Sequence, residues 1–354
     1  MPTHQALGDA ELNPNDLAAG ARTAVAPNDE PAVSRRPGDL VPRETIERLY
    51  ERSDRIGLGY FCAHFALIGA GAWCIWASLG TYWFWPLLVL QSIVLGFLFS
   101  PLHECAHGTA FRTRWLNETV LWLVAIVYIV PPYFFRYFHL GHHRYTQVPG
   151  KDPSLVLPEP ANVRQYVWYV AALWFWWRNL RWMVRHAFGL VDPSASRYVP
   201  SKRLGLMVTE SRLMFSVYGG VFALAAHLGF LPELIACWLL PRFLGEPLQR
   251  VIRVAEHVGC EESSNLLANT RTTLSNPLFN ALAWQMPYHA EHHLFPNVPF
   301  HSLRTLHAHV ASHVVVEARG YVAGQRDIIA MLRADKKDPD ARERASIRCY
   351  SLAA

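Results

Sequence analysis

From Gly57 to Leu102 the chain carries no Asp, Glu, Lys or Arg, and this uncharged run narrows the available folds more than any other feature. At 1.5 Å rise per residue, about 20 apolar residues in a helix cross the ~30 Å hydrocarbon layer of a bilayer, so the run is long enough to cross twice. Leu79-Gly80-Thr81-Tyr82 supplies a turn near its middle, and Tyr82, Trp83 and Trp85 stand where amphipathic rings settle at a membrane surface. The pattern predicts a helical hairpin over 58–79 and 83–100. A second hairpin is expected over 213–231 and 233–252. Leu213 to Leu231 is uncharged, Gly229 and Pro232 break it, and an apolar run resumes at Ile235 before Arg242, Glu246, Arg250 and Arg253 enter. Those charges make the return helix the weakest of the four, expected to leave the bilayer early. A soluble core of helices apolar all round fits two separate hairpins poorly.

Charge sets the orientation. Arg43, Arg48, Arg52 and Arg55 precede the first hairpin, and Arg112, Arg114, Arg136, Arg144, Lys151, Arg164 and further basic residues as far as Arg203 lie between the hairpins, while the two short turns carry none. Basic loops stay on the cytoplasmic side, which places both termini and the long middle segment there. The formal net charge of +5 is then met by anionic lipid, and no nucleic acid is expected as a partner. Val120 to Phe135 is also apolar, but a crossing there would part His103 and His107 from His139, His142 and His143. It runs into Pro131-Pro132 and is expected as an interfacial or re-entrant helix. Arg164 to Gly189 mixes Trp168, Trp174, Trp176, Trp177 and Trp182 with arginines and is expected as a helix lying along the membrane surface. Residues 1–41 lack apolar periodicity and are expected as a disordered polar tail, 42–335 as the membrane domain, and 336–354 as a polar C-terminal tail. The six cysteines form no CxxC pair and no Gly-rich dinucleotide fingerprint follows a strand, so any electrons must come from a separate protein.

The histidines carry the chemistry. They group as His103 and His107; His139, His142 and His143; and His289, His292 and His293, with His257 standing apart. Residues three and four apart share a helix face, so each cluster reads as one stripe aimed at one place. A single HxxHH arises readily by chance, but two of them with an HxxxH do not. Nine imidazoles exceed the needs of one ion, and neutral imidazole suits iron, copper, nickel and zinc, so two nitrogen-held metals and oxygen chemistry are expected. Asp152, Glu256 and Glu104 are candidates to support these ligands from behind. His301, His307, His309 and His313 are expected on a solvated helix face, while His64 and His227 fall within predicted spans, either functional or hydrogen-bonded within the bundle. His103-Glu104-Cys105-Ala106-His107 also fits HExxH, the signature of zinc proteases in which the glutamate activates water. That reading leaves the other clustered histidines unused.

HECAHG at His103 to Gly108, HLGHHRYTQ at His139 to Gln147 and YHAEHHLFP at Tyr288 to Pro296 resemble the three histidine boxes of the integral-membrane fatty acid desaturases, nearest to the acyl-lipid type. The resemblance covers roughly Arg55 to Val315. It implies an all-α integral membrane fold, with four transmembrane helices in two hairpins and a cytoplasmic helical cap carrying a non-haem di-iron site. It further implies oxygen-dependent desaturation of a lipid acyl chain, with O2 as co-substrate and electrons from a donor such as ferredoxin or a cytochrome b-type protein with its reductase. A bacterial inner membrane is expected rather than the endoplasmic reticulum. A di-iron lipid or alkyl hydroxylase or carotenoid-type oxygenase is the nearer alternative, since the same ligands permit oxygen rebound. Relatives of known fold take a ninth histidine from the end of the last membrane helix, where His257 stands here. Some have an asparagine one turn earlier that holds a metal-bound water, and this chain has Arg253 instead. The third box begins with His289 rather than Gln, which sets the chain apart from the front-end subgroup.

Overall fold

The computed structural model describes residues 37–156 and 159–334. Most of the expected N-terminal tail and the C-terminal tail lie outside the described residues, but Pro37–Asp39 forms a 3-10 turn and Val41 is buried in the main core. After α1 (Arg43–Leu49), Ser53 opens α2 (Asp54–Ala77) by accepting the Ile56 N–H, as an N-cap serine does. A turn at Gly80 leads to α3 (Phe84–Gly96), which runs on through Phe97-Leu98 into α4 (Phe99–His107). Asp54–Ala77 and Phe84–His107 are long and apolar enough to cross a membrane. His64 is tied within this hairpin, a ring nitrogen 2.9 Å from the Val94 carbonyl oxygen.

Gly108 ends α4 in the left-handed conformation (φ 70°), which a side chain would strain. α5 (Arg114–Tyr128) and α6 (Pro132–Tyr145) then meet at 101°. The bend follows from Ile129 at φ 62° and the Pro131-Pro132 step, which cannot continue a helix. The segment thus turns back, as the histidine argument required. The expected single surface helix is instead two, α7 (Val163–Val170) and α8 (Leu173–Ala187), because Ala172 adopts φ 60° between them.

The second hairpin departs further from expectation. α9 (Leu204–His227) is long, yet Glu210, Arg212 and paired glycines keep it below the apolarity of a span. The return path is broken into α10 (Leu231–Leu234), a π-helical turn Ile235–Leu239 and α11 (Leu240–His257). The charges of α11 do not push it out to solvent. Glu246 is fully buried and pairs with Arg242 (2.9 Å) and with Nε of Arg250 (2.9 Å), and it accepts from the Tyr128 hydroxyl (3.1 Å). Arg242 also donates to the Tyr128 carbonyl at the end of α5 (2.8 Å). Where α11 crosses α3 the backbones touch: a Cβ on Gly245 would lie 2.2 Å from the Ser92 carbonyl oxygen. Small residues of this kind let helices approach within a bilayer.

The remaining elements make up the C-terminal region: β1 (Arg271–Thr273), α12 (Pro277–Leu282), α13 (His289–Leu294), α14 (Leu303–Val310), β2 (Val315–Glu317) and α15 (Tyr321–Arg333). β1 and β2 pair in parallel, Arg271 opposite Val315 and Thr273 opposite Glu317, so the fold is mostly helical rather than all-α. Three-residue strands leave too short an alternation to read from sequence. A core including Leu98, Leu102, Leu121, Val124, Trp284, Phe300 and Leu306 joins α4 and α5 to this C-terminal region. Outside it, Leu67 and Trp73 on α2, Leu213 and Leu224 on α9, and Trp174 and Trp177 on α8 face outward. So much exposed apolar surface marks a membrane-associated protein.

Candidate metal centre

Three connections hold the histidine-bearing helices in place. The Glu210 carboxylate of α9 accepts the Tyr133 and Phe134 N–H groups (2.7 and 2.9 Å), satisfying the free donors at the start of α6. Arg136 donates to the Cys105 and Ala106 carbonyls at the end of α4 (3.2 and 3.1 Å). Arg271 donates to the Ala255 and Val258 carbonyls at the end of α11 (2.9 and 3.3 Å), beside His257. Lys or Arg placed on the last carbonyls is a standard helix stop.

All nine sequence-selected histidines come together, in two groups rather than one stripe per cluster. His103, His107, His139, His143 and His292 direct ring nitrogens at one point, and His142, His257 and His293 at a second, where His257 also groups with His289 and Glu256. His289 joins His293 there, Nε2 to Nε2 at 3.1 Å. Helix geometry explains the split. At about 100° per residue, positions i and i+4 lie about 40° apart, whereas i+3 and i+4 diverge by about 100°. On α6, His139 and His143 therefore serve the first point and His142 the second. On α13 the assignment is reversed, with His289 and His293 at the second point and His292 at the first. Each HxxHH box thus spans both positions, and the stacked His143 and His293 rings (4.0 Å) join them.

The spacing fits metal ions. Nitrogens about 2.1 Å from an ion and at right angles stand about 3.0 Å apart. Nε2 of His139 lies 2.9 Å from that of His107 and 3.0 Å from that of His143, and Nε2 of His292 lies 3.2 Å from each of the latter two. Both ring nitrogens of His103 are buried with no hydrogen-bond partner, a cost of ~1–3 kcal/mol per group unless another acceptor of the lone pair is present. Burial, reinforced by neighbouring imidazoles, holds His139, His143, His289, His292 and His293 well below the ordinary imidazole range and brings His257 to about 3. Neutral rings with free lone pairs are the form that binds metal.

The acidic candidates occupy different places. Asp152 stands behind His142, its carboxylate 3.0 Å from Nδ1, and accepts the Gln147 and Ser154 N–H groups (3.0 and 2.8 Å). Burial raises its pKa, but the His142 imidazole and these hydrogen bonds outweigh that and leave it below the usual carboxylate range. Glu104 accepts from Thr109 Oγ1 (2.8 Å) and the Phe300 N–H (3.2 Å), with its other oxygen 3.6 Å from Nδ1 of His103 and 4.0 Å from Nδ1 of His292. It sits behind the rings, not in front of them where a water-activating base belongs. Glu256 is at the second point itself, 3.6 Å from Nε2 of His289, and burial pushes it up to about 7 against the pull of Arg253.

Several supporting residues gave no signal in the sequence. Thr146 Oγ1 lies 3.0 Å from Nδ1 of His293, the Asn269 carbonyl 3.3 Å from Nδ1 of His257, and Ser154 Oγ 3.1 Å from Nδ1 of His142. His307, expected on a solvated face, instead meets Glu291 at 2.6 Å, and Glu291 in turn pairs with Thr272. Only the fold brings these segments near one another. An open cleft with about 80 Å³ of free space reaches the imidazoles of His103, His139, His142, His257 and His289, between Phe99, Phe135, Phe138 and Leu155 on its apolar walls and Gln147, Glu159, Arg253 and Glu256 on its polar ones.

Comparison with known proteins adds to this geometry. A family model described as fatty acid desaturase matches residues 80–322. The chain is 29% identical over 308 residues to dihydrorhizobitoxine desaturase of Bradyrhizobium elkanii, covering 79% of this chain and 81% of that protein. It is 24% identical over 284 residues to the sn-1 acyl-lipid omega-3 desaturase (ferredoxin) of Synechocystis sp., covering 75% and 77%. It is 25% identical over 285 residues to the human sphingolipid delta(4)-desaturase/C4-monooxygenase, covering 78% and 80%.

Proposed function

Because the chain belongs to the fatty acid desaturase family, we propose that it introduces a carbon–carbon double bond into a lipid acyl chain, using O2, two iron ions and electrons from a separate donor. The observation that carries this reading is the cleft, which runs between aromatic and aliphatic walls directly onto the clustered imidazoles. Phe99, Phe135, Phe138 and Leu155 give a methylene chain apolar surface to lie against beside the imidazoles.

Within this reading His103, His107, His139, His143 and His292 hold one iron, and His142, His257, His289 and His293 the other. Ferrous ions bound there would supply, with O2 and external electrons, the oxidising power needed to remove hydrogen from an unactivated methylene. The protein's own residues hold the imidazoles neutral and fixed. Asp152 keeps the His142 Nδ1 proton on its own side, Thr146 and the Asn269 carbonyl do the same for His293 and His257, and Glu104 faces His103 and His292. The four-crossing topology, with the site and both termini cytoplasmic in a bacterial inner membrane, is part of the proposal. The relative named as ferredoxin-dependent supports a soluble one-electron donor at that face.

Expression in a host of defined lipid composition, followed by mass spectrometry of its fatty acids, tests the reading. A product two hydrogens lighter than a host acyl chain, absent with His143→Ala, is expected. A product gaining oxygen instead would make the enzyme a hydroxylase, a reading that the double name of the human relative keeps in view. Lipids identical with and without the wild-type chain would overturn the proposal.

A further inference from the structure

Five imidazoles converge on the first metal position and four on the second, and the short side of this count has a carboxylate beside it. Glu256 directly precedes His257 at the end of α11, and a carboxylate oxygen lies within 4.8 Å of the ligand nitrogens of both His257 and His289. The residue is buried. One carboxylate oxygen lies 3.6 Å from Nε2 of His289, and the side chain lines the cleft that reaches the imidazoles. Charges held this far from bulk water are ordinarily paired or bound to metal.

Which nitrogen Glu256 faces separates two roles. A carboxylate that merely orients a ligating histidine accepts from the ring nitrogen turned away from the metal, as Asp152 does at Nδ1 of His142. Nε2 of His289 is the inward nitrogen, since it also approaches Nε2 of His293 at 3.1 Å. The outward nitrogen, Nδ1 of His289, is buried with no partner at all. Glu256 is therefore on the metal side of the ring, not behind it.

We propose that Glu256 is itself a ligand of the second metal ion, making that position four imidazoles and one carboxylate oxygen while the first is imidazole alone. The inference rests on the di-iron reading and extends it. An anionic oxygen donor at one position makes the two ions inequivalent, and it offsets part of the positive charge that nine neutral ligands leave on a buried pair of dications. Arg253, one turn earlier on α11 and packed over the Phe99 ring at 4.3 Å, adds a further cation near the same corner. The carboxylate answers both.

The test uses full-length protein in detergent, loaded anaerobically with ferrous ion, and compares wild type with Glu256→Gln, Glu256→Ala and Glu256→Asp. Metal per chain is measured by elemental analysis against a competing chelator, ferrous environments by Mössbauer spectroscopy, and folding by circular dichroism. Wild type is expected to hold two irons in distinguishable environments. Glu256→Gln and Glu256→Ala should weaken only the second iron, by roughly tenfold or more, and alter only its spectrum, while Glu256→Asp recovers part of the affinity. Unchanged affinity and unchanged spectra in both Gln and Ala variants would overturn the ligand role. A wild-type chain holding fewer than two irons would instead overturn the di-iron reading beneath it.

Discussion

Replacing Asp152 by Asn should weaken one metal ion and spare the other. The carboxylate is buried (4% exposed) and takes three donors at once: His142 Nδ1, the Gln147 N–H and the Ser154 N–H. Asparagine keeps the size but offers one oxygen and an NH2 group that must face one of these donors, so at least one contact becomes a clash of two N–H groups. Hydrogen bonds to a charged acceptor are worth ~1.5–3 kcal/mol, and loss of a partner behind a ligating histidine weakens metal about 10–100-fold, or ~1.4–2.7 kcal/mol. The two figures agree. Because Asp152 touches only His142 among the nine histidines, that loss should fall on the second ion, with the first bound as in wild type. Ferrous titration of metal-free protein against a chelator reads the two steps separately. Equal weakening of both ions, or of neither, would refute the assignment of His142 to the second position.

Other outcomes follow from the same geometry. Gly245→Ala places a Cβ 2.2 Å from the Ser92 carbonyl oxygen, so α3 and α11 must part; the cost is about 1–3 kcal/mol, read as a lower melting temperature in detergent, and unchanged melting would contradict the close crossing. Glu246→Ala strands the buried guanidinium of Arg242 and costs about 3–5 kcal/mol, whereas a variant as stable as wild type would show that the buried triad is not formed. Acidification should unfold the metal-free protein. His139, His143, His257, His289, His292 and His293 have depressed values in the fold, so the stability present above about pH 6.5 is lost as pH falls, by about 1.4 kcal/mol per unit for each group that only the unfolded chain protonates. Circular dichroism across pH 7 to about 4 checks this; an unchanged fold at the acid end would mean the rings are accessible to solvent.

The histidines, the first hairpin and the turned-back segment at Pro131-Pro132 were legible because each rests on a local rule: spacing along a helix, an uncharged run, a residue that cannot continue a helix. The division of labour within each HxxHH box was not legible as a stripe, since His142 and His143 are neighbours in sequence and point about 100° apart in a helix. Nor was the packing of the last helix legible. Its Arg242, Glu246 and Arg250 signal solvent when taken singly, and only their pairing with one another and with Tyr128 keeps them buried. The break at Ala172 and the β1–β2 ladder depend on tertiary contacts, as do Thr146, Asn269 and Ser154 beside the ligands. Glu256 was visible as a candidate, but which nitrogen of His289 it faces depends on the ring's orientation, which only the fold gives.

The proposed centre holds two metal ions, one by five imidazoles and one by four, in one folded chain. Iron per chain, measured on anaerobically loaded full-length protein for wild type, His107→Ala and His142→Ala, tests it most directly. Two irons are expected in wild type, with His107→Ala weakening the first position and His142→Ala the second, so that each variant perturbs a different Mössbauer component. A wild-type chain that holds a single iron, or two variants that perturb the same component, would contradict it.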